Sequence, residues 1–317
     1  MVDPARFPAA ERLAHRQSQL SANAQERLVF IDFRCTFLGE IRRADLMARF
    51  GVASAAATRD LAYYKGTLNG KIDLDPVSKV YRPANDFRPV FEHDVGRALT
   101  ALSRGFGESQ SGPGTALIAS EVPPRLSVPD INVLASICRA INLRQAVRIS
   151  YSSFSSGKQE RELVPFALAD NGFRWHVRAF DRLGKRFADF VLTRIHSIEA
   201  LAQSSVESHE LGHNDSDWCR VLDLQLVPHP KEKRPEVISM DYPMMVNGVL
   251  KVRVRAALAS YLLRQWLVDC SADHSLTGTE YRLWLQNTPI LYGVANAHLA
   301  PGYIEHESNG VERSSTQ

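Results

Sequence analysis

The chain has 317 residues, 44% of them apolar and 23% charged, ordinary values for a soluble globular protein of roughly two or three domains. Its formal net charge is only +3, which excludes bulk charge as a source of nucleic-acid affinity and leaves that work to local clusters. No apolar run approaches membrane-spanning length, and the N-terminal MVDPARFPAAERLAHRQ lacks the unbroken apolar core of a secretory signal. A cytoplasmic chain without a membrane partner is expected. Cys35, Cys138, Cys219 and Cys270 lie far apart with no C-x-x-C pair, so buried reduced thiols are expected rather than zinc or disulfides.

Asn23 with Glu26 reads as a capping box, and Leu28, Ile31, Cys35 and Leu38 then recur at helical spacing up to Gly39. A second helix is predicted over 43–50, with Leu46, Met47 and Phe50 inward and Gly51 as its stop. Ser54 is the predicted N-cap of a third helix. On its wheel Ala57, Leu61, Tyr64 and Leu68 form the packing stripe, and Ala55, Arg59, Ala62 and Tyr63 lie opposite. Small residues around one arginine suit a helix that enters a major groove. Residues 71–82 read as a hairpin turning at Asp75-Pro76, with Lys71, Lys79 and Arg82 able to touch phosphates. Phe50-Gly51-Val52 through Thr58-Arg59-Asp60-Leu61 resembles the winged helix-turn-helix of DeoR-like repressors. A three-helix protein-interaction domain is the other reading of the same pattern. The DNA-contact candidates are Ser54, Ala55, Ala56, Thr58, Arg59, Tyr63 and Lys65, with Arg42, Arg43 and Lys79 as phosphate contacts.

A helix is predicted over 86–101 with Val90, Phe91, Val95 and Leu99 inward, followed by a Gly/Ser/Pro-rich linker over 105–124. Asp130 is the N-cap of a helix carrying Val133, Leu134, Ile137 and Ile141. Four or five short strands follow between 147 and 195, broken at Ser155-Ser156-Gly157-Lys158, at Asn171-Gly172 and at Asp181-Arg182-Leu183-Gly184, a spacing that suggests a small curved barrel or sandwich. In the third strand Phe173, Trp175, Val177 and Ala179 share one face, and Arg174, His176, Arg178 and Phe180 share the other. One face is a core; the second reads as a cationic stripe for an anionic, base-bearing ligand, or as an ordinary solvated face.

Tyr151-Ser152-Ser153, Ser156-Gly157, Arg161, Pro165, residues 174–181 (Arg-Trp-His-Val-Arg-Ala-Phe-Asp) and 190–195 (Phe-Val-Leu-Thr-Arg-Ile) resemble a WYL domain. Trp175-His176-Val177 stands where that family has its Trp-Tyr-Leu triplet, and the whole is similar to the branch in phage-defence repressors of the BrxR and CapW type. The resemblance implies an SH3/Sm-like β-barrel and a ligand pocket lined by Tyr151, Ser152, Ser153, Arg161, His176, Arg178 and Arg194.

Farther on, strands are predicted over 221–227, 250–254, 281–285 and 290–292, and a helix over 256–268 with Leu258, Tyr261, Leu262, Trp266 and Leu267 inward. This α+β lobe resembles the dimerisation extension of the same repressors, and a disordered tail is expected from about Glu305. Arg253 and Arg255 read as a solvated strand face, or as groups reaching a neighbouring subunit's pocket. Catalytic and nucleotide-loop motifs are missing, His209 and His213 sit in a polar loop, and Asp269, Asp273 and His274 read as a polar turn. No catalytic residue, metal or cofactor is assigned. The expected fold class is α+β multidomain: winged helix-turn-helix (1–85), helix and linker (86–128), WYL barrel (129–203) and dimerisation lobe (204–317). The expected function is a ligand-responsive homodimeric repressor, not an enzyme, with an inverted-repeat double-stranded DNA operator and a nucleotide or nucleic-acid ligand as partners. A non-specific nucleic-acid-binding module and a nuclease or hydrolase are the alternatives.

Overall fold

The computed structural model describes residues 20–106 and 116–305. The N-terminal 17 residues, Gly112 to Thr115 and the tail beyond Glu305 lie outside the described residues. The chain divides into two compact units, one through Pro123 and one from Pro124.

In the first unit, α1 (Ala22–Leu38) starts on Ser21, whose hydroxyl accepts the Ala24 N–H at 3.3 Å. The cap therefore precedes the expected Asn23. Gly39 ends the helix at φ +72° and Gly51 ends α2 (Arg43–Phe50) at φ +63°, left-handed positions where a glycine avoids the Cβ penalty. α3 (Ser54–Gly66) is preceded by Ala53 with no side-chain cap; the Ser54 carbonyl instead accepts the Thr58 hydroxyl at 2.9 Å. Strands β1 (Ile41–Arg42), β2 (Ile72–Leu74) and β3 (Val80–Pro83) form an antiparallel sheet in the order β1-β3-β2. At the wing turn the Ser78 hydroxyl and the Val77 and Ser78 amides hold the Asp75 carboxyl down at about 2. Leu28, Ile31, Cys35, Leu46, Leu61, Tyr64 and Ile72 fill the core between helices and sheet.

Two predicted phases are corrected. Met47 is exposed, because it sits one step round the helix from Leu46, which takes the core position. The helix predicted over 86–101 begins only at Val95: α4 (Val95–Arg104) is capped by Asp94, whose carboxylate accepts the Arg97 N–H. Pro89 disfavours helix at Arg88, and the amides of Val90 and Phe91 turn inward to the Asp32 carboxylate. Val95 and Leu99 face outward, since the small Ala98 and Ala101 are the side chains that fit against Phe33, with Phe106 packed on the same cluster.

The second unit opens with α5 (Ile131–Leu143), capped as predicted by Asp130, which accepts from Asn132 and Val133. Its Val133, Ile137 and Ala140 pack on a five-stranded antiparallel sheet: β4 (Val147–Ser153), β5 (Gly157–Asp170), β6 (Trp175–Asp181), β7 (Arg186–Val191) and β8 (Ile195–Ala200). The order is β7-β6-β5-β4-β8. Among the described residues no pairing of β7 with β8 closes the sheet into the expected SH3/Sm-like barrel; a bulge between Pro165 and Ala167 bends the long β5. Gly172 turns the β5–β6 corner at φ +84°, and a Cβ there would lie 1.9 Å from the Gln265 side chain.

A short helix, α6 (Ser216–Cys219), leads into β9 (Val221–Pro228), α7 (Pro235–Asp241), β10 (Leu250–Arg255), α8 (Ala256–Gln265), β11 (Val268–Asp269) and β12 (Leu283–Leu285). These strands form a mixed sheet, β10-β9-β12-β11. The small face of α8 (Ala256, Ala257, Ala259, Ser260) and Leu263 turn inward, so the predicted stripe through Leu258, Tyr261 and Trp266 is corrected by nearly half a turn. Residues 290–292 are not a strand: Pro289 starts a 3-10 turn there, Thr288–Leu291. Cys35 and Cys270 are buried, their thiols pushed up chiefly by burial, while Cys138 and Cys219 are exposed and free. No helix among the described residues is long and apolar enough to cross a membrane.

Candidate functional site

In the first unit the candidate surface is α3. Its apolar stripe, Ala57, Leu61 and Tyr64, is buried, and Ser54, Ala55, Thr58, Arg59 and Lys65 are exposed with Ala56 and Tyr63 half-buried beside them. Asp60, next along the chain, is committed inward: Arg27 donates to it through Nε at 2.6 Å and Nη2 at 3.2 Å, tying α3 to α1. The Arg59 side chain makes no ion pair or hydrogen bond among the described residues. It is a guanidinium held out on a rigid helix, with the small Ala55, Ala56 and Ala62 on three sides of it and Tyr63 on the fourth.

The remaining phosphate candidates are exposed and loosely held. Arg43 donates to the Thr58 hydroxyl at 3.4 Å, Arg42 lies 3.9 Å from Glu40, and Lys65 lies 2.9 Å from Asp73. Lys71 pairs with Asp86, and Arg82 with Asp75 and Glu40. Lys79 stands exposed at the wing turn at φ +57°. Exposed pairs of this kind contribute about 0–1 kcal/mol, so exchanging the carboxylate for a phosphate costs little.

Beneath α3 lies a group that sequence reasoning missed. Asp32, fully buried on α1, accepts from the Tyr64 hydroxyl, from the Val90 N–H at 2.7 Å and from His93 Nε2 at 2.7 Å. It joins the core side of α3 to the segment that precedes α4. Its only mark in the sequence is an acid standing inside the apolar run Leu28-Val29-Phe30-Ile31-Asp32-Phe33.

In the second unit β6 is an interior strand, second from the edge, and both of its faces are buried. The expected open cationic stripe is thereby corrected: His176, Arg178 and Phe180 are covered by residues 207–219 and by α8. Arg178 donates through Nε and Nη2 to Asp215 at 2.7 and 3.1 Å, and its Nη1 lies 3.2 Å from Asp189. Burial, partly opposed by Arg178, raises the Asp189 carboxyl above its usual range. His176 stacks on Tyr261 with centroids 5.7 Å apart and planes 28° apart. Burial first, then the positive charges of Arg174 and Arg194, push His176 down to about 4, so the ring is neutral at physiological pH.

The other ligand candidates divide into frame and surface. The Tyr151 hydroxyl accepts the Val191 N–H at 3.2 Å, and Ser153 accepts the Ser155 and Ser156 amides, closing the β4–β5 turn. Arg161 reaches Asp181 at 2.5 Å and lines, with Arg148 and Arg182, a separate hollow of about 330 Å³. Ser152 meets His196 Nε2 at 2.7 Å. Arg194 lies 4.2 Å over the ring of Phe154, which is 94% exposed at the tip of the β4–β5 turn. The fold thus gathers Arg174, His176 and Arg194 within electrostatic reach, and leaves Tyr151, Ser153 and Arg161 with other tasks. Two guanidinium groups and an exposed ring can donate to an anion and stack a base. The annular partners Asp215, Tyr261 and Phe154 had no signal in the sequence pattern.

His229 Nε2 lies 3.1 Å from Asp269 in the buried core of the final lobe, and the His274 ring packs on Trp284; both are internal contacts. Among the described residues no group of three His, Cys, Asp or Glu side chains is arranged to hold a metal.

Residues 23–104 match the family described as the BrxR transcriptional regulator winged helix-turn-helix domain, 132–200 the WYL domain, and 221–291 the BrxR transcriptional regulator C-terminal dimerization domain. The chain is 31% identical over 281 residues to the DNA-binding transcriptional repressor CapW of Escherichia coli (strain KTE188), covering 85% of this chain and 91% of that protein. It is 30% identical to the CapW of Stenotrophomonas maltophilia, covering 78% and 84%, and 32% identical to that of Pseudomonas aeruginosa, covering 76% and 82%.

Proposed function

We propose, for a chain that belongs to the CapW family of DNA-binding transcriptional repressors, that it is a cytoplasmic dimer reading an inverted-repeat operator and answering to a ligand. The operator would belong to a phage-defence operon, and the protein acts by binding, without catalytic chemistry. α3 enters the major groove, and the two-fold axis of the dimer sets two such helices on half-sites about one helical turn apart, or a multiple of it. The observation that carries this reading is Arg59: an uncommitted guanidinium on the outer face of a helix whose Asp60 and Tyr64 are tied inward. Arg42, Arg43, Lys65 and Lys79 flank it as phosphate contacts.

The ligand is a nucleotide or a nucleic-acid strand. Arg174 and Arg194 meet its phosphates, Phe154 stacks a base and Ser152 supplies a hydrogen bond, with the buried, neutral His176 ring set behind them. Arg178, Arg161 and Tyr151 serve this surface by holding the sheet in place, which their buried partners support.

A mobility-shift titration on the DNA upstream of the gene, against scrambled competitor at two salt concentrations, tests the first half. Specific binding should survive the salt rise better than competitor binding, which is almost purely electrostatic. Equal loss on both DNAs identifies a non-specific module instead. Arg194→Ala and Phe154→Ala should retain operator binding and lose its response to added nucleotides or short oligonucleotides; an unchanged response refutes the sensor assignment.

A further inference from the structure

The final lobe carries a segment that is apolar on both sides. From α7 into the following turn, Ile238 is buried, and Tyr242 and Met245 pack against the lobe core. Between them, Val237, Met240, Met244 and Val246 are 50, 78, 79 and 70% exposed. A bridge between Val246 and Val249 across the Asn247-Gly248 turn closes the segment. Asp241 is the one charged side chain between positions 237 and 250. Scattered apolar side chains on a surface need no explanation, but four in ten residues, two of them methionines, form a patch with nothing on it.

We infer that this outer face, Val237, Met240, Met244 and Val246, is where a second copy of the chain docks. The inference rests on the dimeric reading above. These residues lie within the stretch that matches a dimerization domain. A two-fold contact must be self-complementary, and a patch of flexible, polarizable side chains whose one charge is Asp241 can meet its own copy with little like-charge repulsion. The rival surface on this lobe is the free edge of β10. That edge carries Lys251, Arg253 and Arg255, all exposed. Pairing it with its copy would set cations against cations, the device by which sheets discourage edge association.

Sedimentation equilibrium of the full chain tests this, with Met240→Glu/Met244→Glu beside the wild type and Val77→Glu, on the equally bare wing, as control. The double variant should raise the dimer dissociation constant on the order of 100-fold or more, because unpaired charge is buried on association. The control should not move it. Mixing that variant with Met240→Lys/Met244→Lys should restore a heterodimer, which a misfolded chain could not do. A double variant that dimerises like the wild type overturns the inference while leaving the dimeric reading intact. A wild type that stays monomeric at every concentration overturns both.

Discussion

Arg178 is the most demanding test of how the sheet of the WYL domain is held. Arg178→Met keeps the stem and removes the charge, leaving Asp215 and Asp189 facing each other. Arg178, Asp189 and Asp215 are 8, 9 and 2% exposed, so solvent cannot replace the lost partner. Removing one member of a buried pair costs about 3–5 kcal/mol, a large share of the 5–15 kcal/mol that typically holds a domain. The Asp189 carboxyl, already raised by burial, should be driven further above the usual carboxylate range once Arg178 no longer opposes that shift. An acid whose folded pKa is raised binds more protons folded than unfolded, so its stability contribution is lost as pH rises. The deficit of Arg178→Met should accordingly be largest near pH 8 and shrink toward pH 5. Urea unfolding followed by tryptophan fluorescence reads this directly, since Trp218 stands beside Asp215, which caps its helix turn. Asp215→Asn, which retains an acceptor, should cost less, about 1–3 kcal/mol. A variant within about 1 kcal/mol of wild type at pH 8 that has nonetheless lost its ligand response would refute the reasoning and make Arg178 a ligand contact.

Arg59→Ala should relax operator specificity by about 1–3 kcal/mol, read as the ratio of operator to scrambled-DNA affinity, with little change in salt slope. His176, with its folded pKa near 4 against an ordinary 6.5, binds fewer protons folded than unfolded between those values; stability should be full above about pH 6.5 and fall by about 2 kcal/mol by pH 5. His176→Gln should flatten that limb, and an unchanged pH profile would show that the ring titrates normally. Asp32→Ala strips the acceptor from Tyr64, His93 and the Val90 amide, and each buried donor left unmade costs about 1–3 kcal/mol. Its first unit should melt well before that of Tyr64→Phe, which removes a single donor; thermal scans of the two variants decide this.

By itself the amino-acid order determined what depends on neighbours in the chain. The helices ending at Gly39 and Gly51, the Asp130 cap, the buried stripe of Ala57, Leu61 and Tyr64 and the breaks between the sheet strands all follow from local geometry and a period of 3.6 or 2. The family resemblance rested on the same short-range patterns. Tertiary structure alone decided what each face meets. Alternation placed His176 and Arg178 on one side of β6, but whether that side is solvent, ligand or protein depends on Asp215, 37 residues beyond Arg178, and on Tyr261 farther still. Helix phase failed where alanines took the core positions, as in α4 and α8, because close packing rewards fit against a bulky neighbour as much as hydrophobicity. A buried charge carries no periodic signature: Asp32 is tolerated only because donors from two separate segments, α3 and the stretch before α4, converge on it, and that convergence exists only in the folded chain.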